Sequence, residues 1–322
     1  MADRKVYQSL SEQLTKVSEI TVETVLTGEE AGQKRILDPE EKLLPPDASV
    51  YRETLSGKAR IVVCGGGHVS LALVRMLKLL DFHVTVIDER PEFANKERFP
   101  EADEILCTSF TEALAENDFG GNVYYILVTR GHKYDYDCLS YLMKGRYRYI
   151  GMIGSRSKVA ACFEKLRAEG YSEEEIAGVH APIGLKIKAQ TPAEIAVSIC
   201  AEIIQLKNST PVNTLEDDIL KGLQDEKART MVTVIEKTGS SPRGEGSRMI
   251  VCTDGRIYGT IGGGAVEFAA MEEAQTFDGE HGFAIREYDL SNAKAADLGM
   301  ICGGRVKVLF ERLSHTKEDF EQ

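Results

Sequence analysis

Residues 60–88 read RIVVCGGGHVSLALVRMLKLLDFHVTVID, and the order of residue types in this stretch decides the fold. Arg60–Cys64 is a short β-branched apolar run, the composition of a strand buried on both faces. Gly65, Gly66 and Gly67 follow at once, and residues 69–80 then carry apolar side chains at helical spacing. His83–Ile87 is a second β-branched strand, and it ends in Asp88. Strand, glycine turn, helix, strand and acid make the order of a dinucleotide-binding βαβ unit. Gly65 lets the chain turn sharply. Gly67 lets a pyrophosphate come close to the backbone at the helix N-terminus, and Asp88 is placed to accept hydrogen bonds from a ribose. His68 and Arg90 border these positions and join the candidate cofactor-binding set. Ser70 stands where the third glycine of GxGxxG is expected, and it is small enough for helix–strand packing. The same turn also suits a mononucleotide or a simple anion, so NAD(P) is one candidate occupant among several.

The 322 residues are enough for two domains. With 43% hydrophobic and 28% charged residues, the chain is expected to be a soluble globular protein. Its formal net charge of −12 argues against nucleic acid or an anionic membrane as the main partner. The seven cysteines (64, 107, 138, 162, 200, 252 and 302) include no CxxC pair, which points to a reducing compartment and away from a zinc knuckle or disulfide framework. The first residues, MADRKVYQSL, hold no apolar signal core, and no run of 18 apolar residues occurs. The expected location is cytoplasmic.

From residue 58 to 207 the α/β alternation continues. Strands are expected at 105–107, 123–128 and 149–153, with helices at 110–117, 134–144 and 155–169. A last helix is marked by Thr191 as N-cap, Pro192 at its first position and Glu194 completing a capping box. Its Ile195, Ile199 and Ile203 share one face. Three loops carry polar residues at expected strand ends, where ligands bind in open parallel sheets. These are Thr129-Arg130-Gly131-His132 with Asp135, Gly154-Ser155-Arg156, and His180–Gly184. Each also reads simply as a turn with a helix cap. Cys64, Cys107 and Cys200 lie in apolar runs and read as small buried side chains.

Residues 208–322 begin with a polar linker and a helix whose start is signalled by Thr214, Glu216 and Asp217. Strands at 230–236, 248–252, 256–261 and 305–311 then alternate with glycine-dense loops. One loop carries Ser240, Ser241 and Arg243, hydroxyls and a fixed positive charge suited to phosphate or pterin-like acceptors. Another, Gly262-Gly263-Gly264, opens a helix with Glu267 on its second turn and can form an anion nest. In the third, Cys302 sits beside two glycines. It reads as a soft-metal ligand or sulfur acceptor, or else as a small buried hydrophobe. Residues 1–57 show a helix at 6–17, a strand at 19–26 and a proline linker. Thr24-Val25 leads through Gly32 to Lys34, as Thr233-Val234 leads through Gly246 to Arg248. This segment reads as a partial copy of the start of the second domain, or as short strands that coincide.

Taken together, CGGGHVSLAL, VIDERPEFANKERFPEAD, YYILVTRGHKYD, YIGMIGSRSK, HAPIGLKIKAQTPAEIAVSICAEII, TGSSPRGEGSRMIV, GTIGGGAVE and DLGMICGG resemble the XdhC/CoxI family of maturation factors for molybdenum hydroxylases. The resemblance implies an α/β chain, a Rossmann-like parallel-sheet domain plus a smaller glycine-rich CoxI-like α/β domain. It implies a cofactor chaperone that binds molybdenum cofactor, supports its sulfuration with a cysteine desulfurase, and delivers it to a xanthine dehydrogenase-type apo-hydroxylase. Carried over by position, Cys302 becomes the candidate thiol and metal ligand. Ser240, Ser241, Arg243 and Gly262–Gly264 become candidates for holding the pyranopterin and its phosphate. Gly65–Gly67 and Asp88 become a nucleotide-type site. In the commoner arrangement of the family the CoxI-like domain comes first. Here the complete copy follows the Rossmann domain, which favours two sites meeting across a homodimer. The rival reading is an NAD(P)-dependent oxidoreductase using His132 or His180 as acid or base, and a third is a nucleotide-sensing module.

Overall fold

The computed structural model describes residues 4–37, 49–209, 212–239, 243–278, 282–289 and 304–313. In chain order, α1 (Arg4–Leu14), β1 (Glu19–Val25), β2 (Lys34–Ile36) and β3 (Val50–Ser56) come first. The α/β run follows as β4 (Arg60–Cys64), α2 (His68–Leu79), β5 (His83–Ile87), β6 (Glu104–Leu106), α3 (Phe110–Glu116), β7 (Val123–Leu127), α4 (His132–Leu142), β8 (Tyr149–Met152), α5 (Arg156–Ala168), α6 (Glu173–Ala177), β9 (Val179–His180) and α7 (Pro192–Ser209). The chain continues through β10 (Val212–Thr214), α8 (Asp217–Gln224), β11 (Ala228–Gly239), β12 (Arg248–Cys252), β13 (Ile257–Gly259), α9 (Gly264–Thr276), β14 (Phe283–Asp289) and β15 (Gly304–Arg312). These elements form two compact units. One gathers Thr15–Ser18 and Gly57–Pro211; the other gathers Met1–Leu14, Glu19–Ser56 and Val212–Gln322. The N-terminal strands β1–β3 thus share a unit with β10–β15.

The first unit is a six-stranded sheet in the order β6-β5-β4-β7-β8-β9, every neighbouring pair parallel. This is the 3-2-1-4-5-6 order of doubly wound nucleotide-binding sheets. Alternation on β4 sends Ile61 and Val63 to one face, against Leu73 and Leu77 of α2 and Ile199 and Ile203 of α7. Val62 and Cys64 go to the other face, against Leu139 of α4 and Leu166 of α5. Both faces are covered, which is why the central strands are continuous apolar runs. The capping box on α7 is formed: Glu194 N–H donates to Thr191 Oγ1 at 3.2 Å, and Thr191 N–H to the Glu194 carboxylate at 3.1 Å. One expectation is corrected. The edge strand β6 ends at Leu106, so Cys107 falls beyond it and is exposed, while Cys64 and Cys200 are buried. The sixth strand, β9, has two residues, too short for periodicity to reveal.

The second unit holds two sheets, β10-β3-β1-β2 and β13-β12-β11-β15-β14. β1 pairs antiparallel with both β2 and β3, and β11 pairs antiparallel with both β12 and β15. Helix α9 lays Ala270 and Ala274 on the larger sheet, against Val232, Val251 and Phe310. Thr214, expected from sequence at a helix start, instead ends β10, and Glu216 occupies the N-cap position of α8. Beyond the other end of α8, the Arg4 guanidinium donates to the carbonyls of Asp225 at 2.9 Å and Ala228 at 2.5 Å. It satisfies acceptors that the helix terminus and the following turn leave over.

Candidate functional site

Parallel pairing brings the ends of β4, β5, β7, β8 and β9 to one edge of the sheet, so Gly65–Gly67, Asp88–Arg90, Thr129–His132, Gly154–Arg156 and His180–Gly184 share that edge. Gly65 has a φ of +116°, and a Cβ there would overlap the carbonyl of Val128. A Cβ at Gly66 would overlap the carbonyl of Phe93, whereas at Gly67 it would meet open space. The first two glycines are therefore required by packing. Gly67, the N-cap position of α2, leaves that helix without a side-chain cap and open to an incoming group. His68 is exposed on the first turn, and Ser70 donates its hydroxyl to the Gly65 carbonyl.

Asp88 is 1% exposed, and its carboxylate is fully engaged within the chain. Oδ1 accepts from Arg90 N–H at 3.1 Å and Nε at 2.8 Å; Oδ2 accepts from Gly66 N–H at 2.8 Å and Arg90 Nη2 at 2.8 Å. Four donors match the acceptor capacity of one carboxylate. Burial works against ionisation, but Arg90 and these N–H groups hold the carboxyl below its ordinary value. Arg90 also stacks on Phe93, 3.6 Å from the ring centroid, and Arg98 Nε donates to the Gly66 carbonyl at 2.9 Å. Asp88 thus clasps the glycine turn to the end of β5, the position from which a ribose acceptor would reach out. Asp88→Ala should cost about 2 kcal/mol, since it strands the buried Gly66 N–H and part of the Arg90 fork. A chemical denaturation midpoint matching wild type would remove this clasp.

The other edge residues are mutually engaged. Thr129 donates through N–H at 3.2 Å and Oγ1 at 2.7 Å to Asp135, whose second oxygen pairs with Lys158. Arg130 reaches Glu89 at 2.5 Å and the Tyr134 hydroxyl at 2.9 Å, joining the loops after β5 and β7. His132 opens α4. Ser155 caps α5, accepting from Lys158 N–H at 3.3 Å, and Arg156 is exposed beside it. Sequence reasoning misses Glu202 on α7. It accepts from Tyr149 at 2.5 Å and Gly184 N–H at 3.0 Å, and lies 3.4 Å from His180 Nδ1. Its only sequence signal is its place on the helix that closes the sheet.

In the second unit Gly262, Gly263 and Gly264 have φ values of +128°, +76° and +69°, a run only glycine adopts readily. The nest they build is filled by the chain's own Glu267. Its Oε2 accepts from Ile261 N–H at 2.9 Å, Gly262 N–H at 3.2 Å, Gly263 N–H at 3.1 Å and the Thr260 hydroxyl. Arg243 pairs with Glu216 at 2.6 Å. Ser240, Ser241 and Cys302 lie outside the described residues. Among the described residues no group of three or more His, Cys, Asp or Glu is placed to hold a metal ion, and no helix is long and apolar enough to cross a membrane.

Sheet order, glycine turn and nest define a two-domain α/β protein, a Rossmann sheet joined to a glycine-rich partner. A sequence profile for the XdhC Rossmann domain matches residues 61–203, and one for the XdhC and CoxI family matches residues 223–289. The chain belongs to the XdhC/CoxI family, with its Rossmann domain preceding its CoxI-like domain. It is 36% identical over 164 residues to YqeB of Escherichia coli strain K12, covering 51% of this chain and 30% of that protein. It is 27% identical over 164 residues to a probable xanthine dehydrogenase component of Bacillus subtilis strain 168, covering 51% of this chain and 48% of that one. Over 97 residues it is 30% identical to the molybdenum cofactor insertion chaperone PaoD of E. coli, covering 29% of each chain. The chain therefore spans less than half the length of these relatives. A solved structure described as a xanthine dehydrogenase from Bacillus halodurans shares the fold, with a TM-score of 0.50 and 24% identity, covering 64% of this chain and 66% of that one.

Proposed function

We propose that this protein is a maturation factor for molybdenum hydroxylases of the xanthine dehydrogenase type. In this reading it binds molybdenum cofactor as cargo, supports its sulfuration together with a cysteine desulfurase, and hands it to the apo-enzyme. The observation that carries the reading is that both XdhC/CoxI-family domains occur in one chain, which is also similar to a protein named as a molybdenum cofactor insertion chaperone. The nest at 261–263 has the donor arrangement a phosphate oxygen needs, three backbone N–H groups converging on one oxygen, and in this reading the cofactor displaces the Glu267 carboxylate that fills it. In this scheme Ser240, Ser241 and Arg243 hold the pterin end, and the Cys302 thiol meets the metal end. An NAD(P)-dependent oxidoreductase is less well supported, since the acceptor capacity of Asp88 is spent on Arg90 and Gly66.

The test is anaerobic equilibration of the purified protein with molybdenum cofactor, then gel filtration with metal and pterin analysis of the protein peak, with Cys302→Ser alongside. Stoichiometric cofactor on wild type and at least tenfold weaker retention on the variant is the expected result. Equal retention by both removes the thiol from the site. Retention by neither rejects the cargo reading.

A further inference from the structure

In the two sheets of the second unit, the central strand and its two neighbours, β2-β1-β3 and β12-β11-β15, match in direction and register. On β1, Thr24 pairs with Lys34 and Val22 with Glu53. On β11, Thr233 pairs with Arg248 and Met231 with Glu311. The loops close alike. Gly32 N–H donates to the Val25 carbonyl at 2.8 Å and Val25 N–H to Gln33 at 3.0 Å; Gly246 N–H donates to Val234 at 2.7 Å and Val234 N–H to Ser247 at 3.0 Å. Both glycines have positive φ, +89° and +82°. Each copy therefore places a cation two positions after a left-handed glycine on one neighbour of its central strand, and a glutamate on the other neighbour.

These four charges cross between the copies. Lys34 of the first pairs with Glu311 of the second at 3.0 Å, and Arg248 of the second pairs with Glu53 of the first. The side chains are 5% and 1% exposed in one pair and 2% and 3% in the other. Residue i of one copy meets residue j of the other and j meets i, the exchange rule of an isologous two-fold interface. Buried charge is retained only where geometry is good, so this reciprocity is costly to reach without common descent from one interface.

We infer that residues 4–56 stand in, within the chain, for a second copy of the CoxI-like fold, and that the face they cover fits a second copy of residues 212–313. The first copy bridges its hairpin with residues 26–31, where the second has 235–245, the stretch holding Ser240, Ser241 and Arg243. It supplies the interface without the loop chemistry, so a chain needs no sister chain at this face. The inference stands apart from the cargo reading and survives its failure.

Sedimentation velocity on the full chain tests it. Lys34→Glu with Glu53→Lys sets each N-terminal charge against its like, Glu311 or Arg248, and should expel the first copy. The expected result is a doubling of the wild-type association state, with Arg248 and Glu311 pairing reciprocally between two chains. Adding Arg248→Glu and Glu311→Lys restores opposite charges within one chain and should return the wild-type state. Reversal without a change of state, or failure of the fourfold variant to revert, overturns the inference. Where the reversed variant does not fold, the exchange Lys34→Arg with Arg248→Lys decides. Equivalent positions should tolerate it with a melting temperature within about 5 °C of wild type, and a larger fall counts against equivalence.

Discussion

Arg248→Met should lower the free energy of unfolding by about 3–5 kcal/mol, read as a lower denaturant midpoint at unchanged slope. The side chain lies between the two sheets, where its Nη2 meets the Glu53 carboxylate and Nη1 donates to the Gly246 carbonyl at 2.8 Å. Burial works against its charge, but the carboxylate of Glu53 outweighs that and raises its pKa above the ordinary arginine value. Methionine fills much of the volume while leaving Glu53 almost without a partner, since Asn213 Nδ2 at 3.4 Å is a weak substitute. An uncompensated buried carboxylate, rather than the lost attraction, dominates the penalty. The double variant Arg248→Met with Glu53→Leu should therefore recover most of the loss, because it removes both charges together. Equal destabilisation by the single and double variants would show that volume, not charge, holds the sheets together.

The Rossmann sheet is legible in sequence because its signals are local. Residues 60–88 carry two β-branched strands, a glycine turn and an amphipathic helix within one short stretch, and both strands have the bounds their composition marks. In the second unit the strands expected at 19–26, 230–236, 248–252, 256–261 and 305–311 each overlap an observed strand, but their pairing across the two sheets is not legible. β3 goes unassigned from sequence because VYRETLS breaks its alternation with Arg52 and Glu53, and Glu53 is buried by a partner on β12. No window of sequence contains both members of such a pair. The same holds for Lys34 and Glu311. The echo between residues 24–34 and 233–248 is visible as a motif. The matching glutamates are not, since Glu53 and Glu311 sit in segments with little else in common. At the site, residue type and spacing pick out both Asp88 and Glu267. Their engagement by Arg90 and by the glycine nest depends on turn geometry that residue type does not encode.

Glu267→Ala should cost about 2–3 kcal/mol and turn the glycine turn into a responsive anion site. The magnitude follows from losing a charged acceptor that holds the Thr260 hydroxyl and three N–H groups at a helix start, partly offset by water reaching a half-exposed turn. The donors remain, held by glycines whose positive φ values suit this shape, and the N-terminus of α9 still favours negative charge there. Sulfate or inorganic phosphate should then raise the melting temperature of the variant clearly more than that of wild type, where Glu267 already occupies the nest. pH gives an independent reading. Burial works against the Glu267 carboxylate, yet Thr260 and the N–H groups of Gly263, Ile261 and Gly262 hold its pKa below the ordinary value. A carboxyl depressed in the folded state stabilises fully above its unfolded value, about 4.3, and loses that contribution as pH falls through the lower folded value. The stability gap between wild type and Glu267→Gln should accordingly be constant near neutrality and close as the solution is acidified below pH of about 4. A variant that responds to anions no more than wild type, with a gap that persists in acid, would mean that the turn is shaped by Glu267 itself and holds no anion without it.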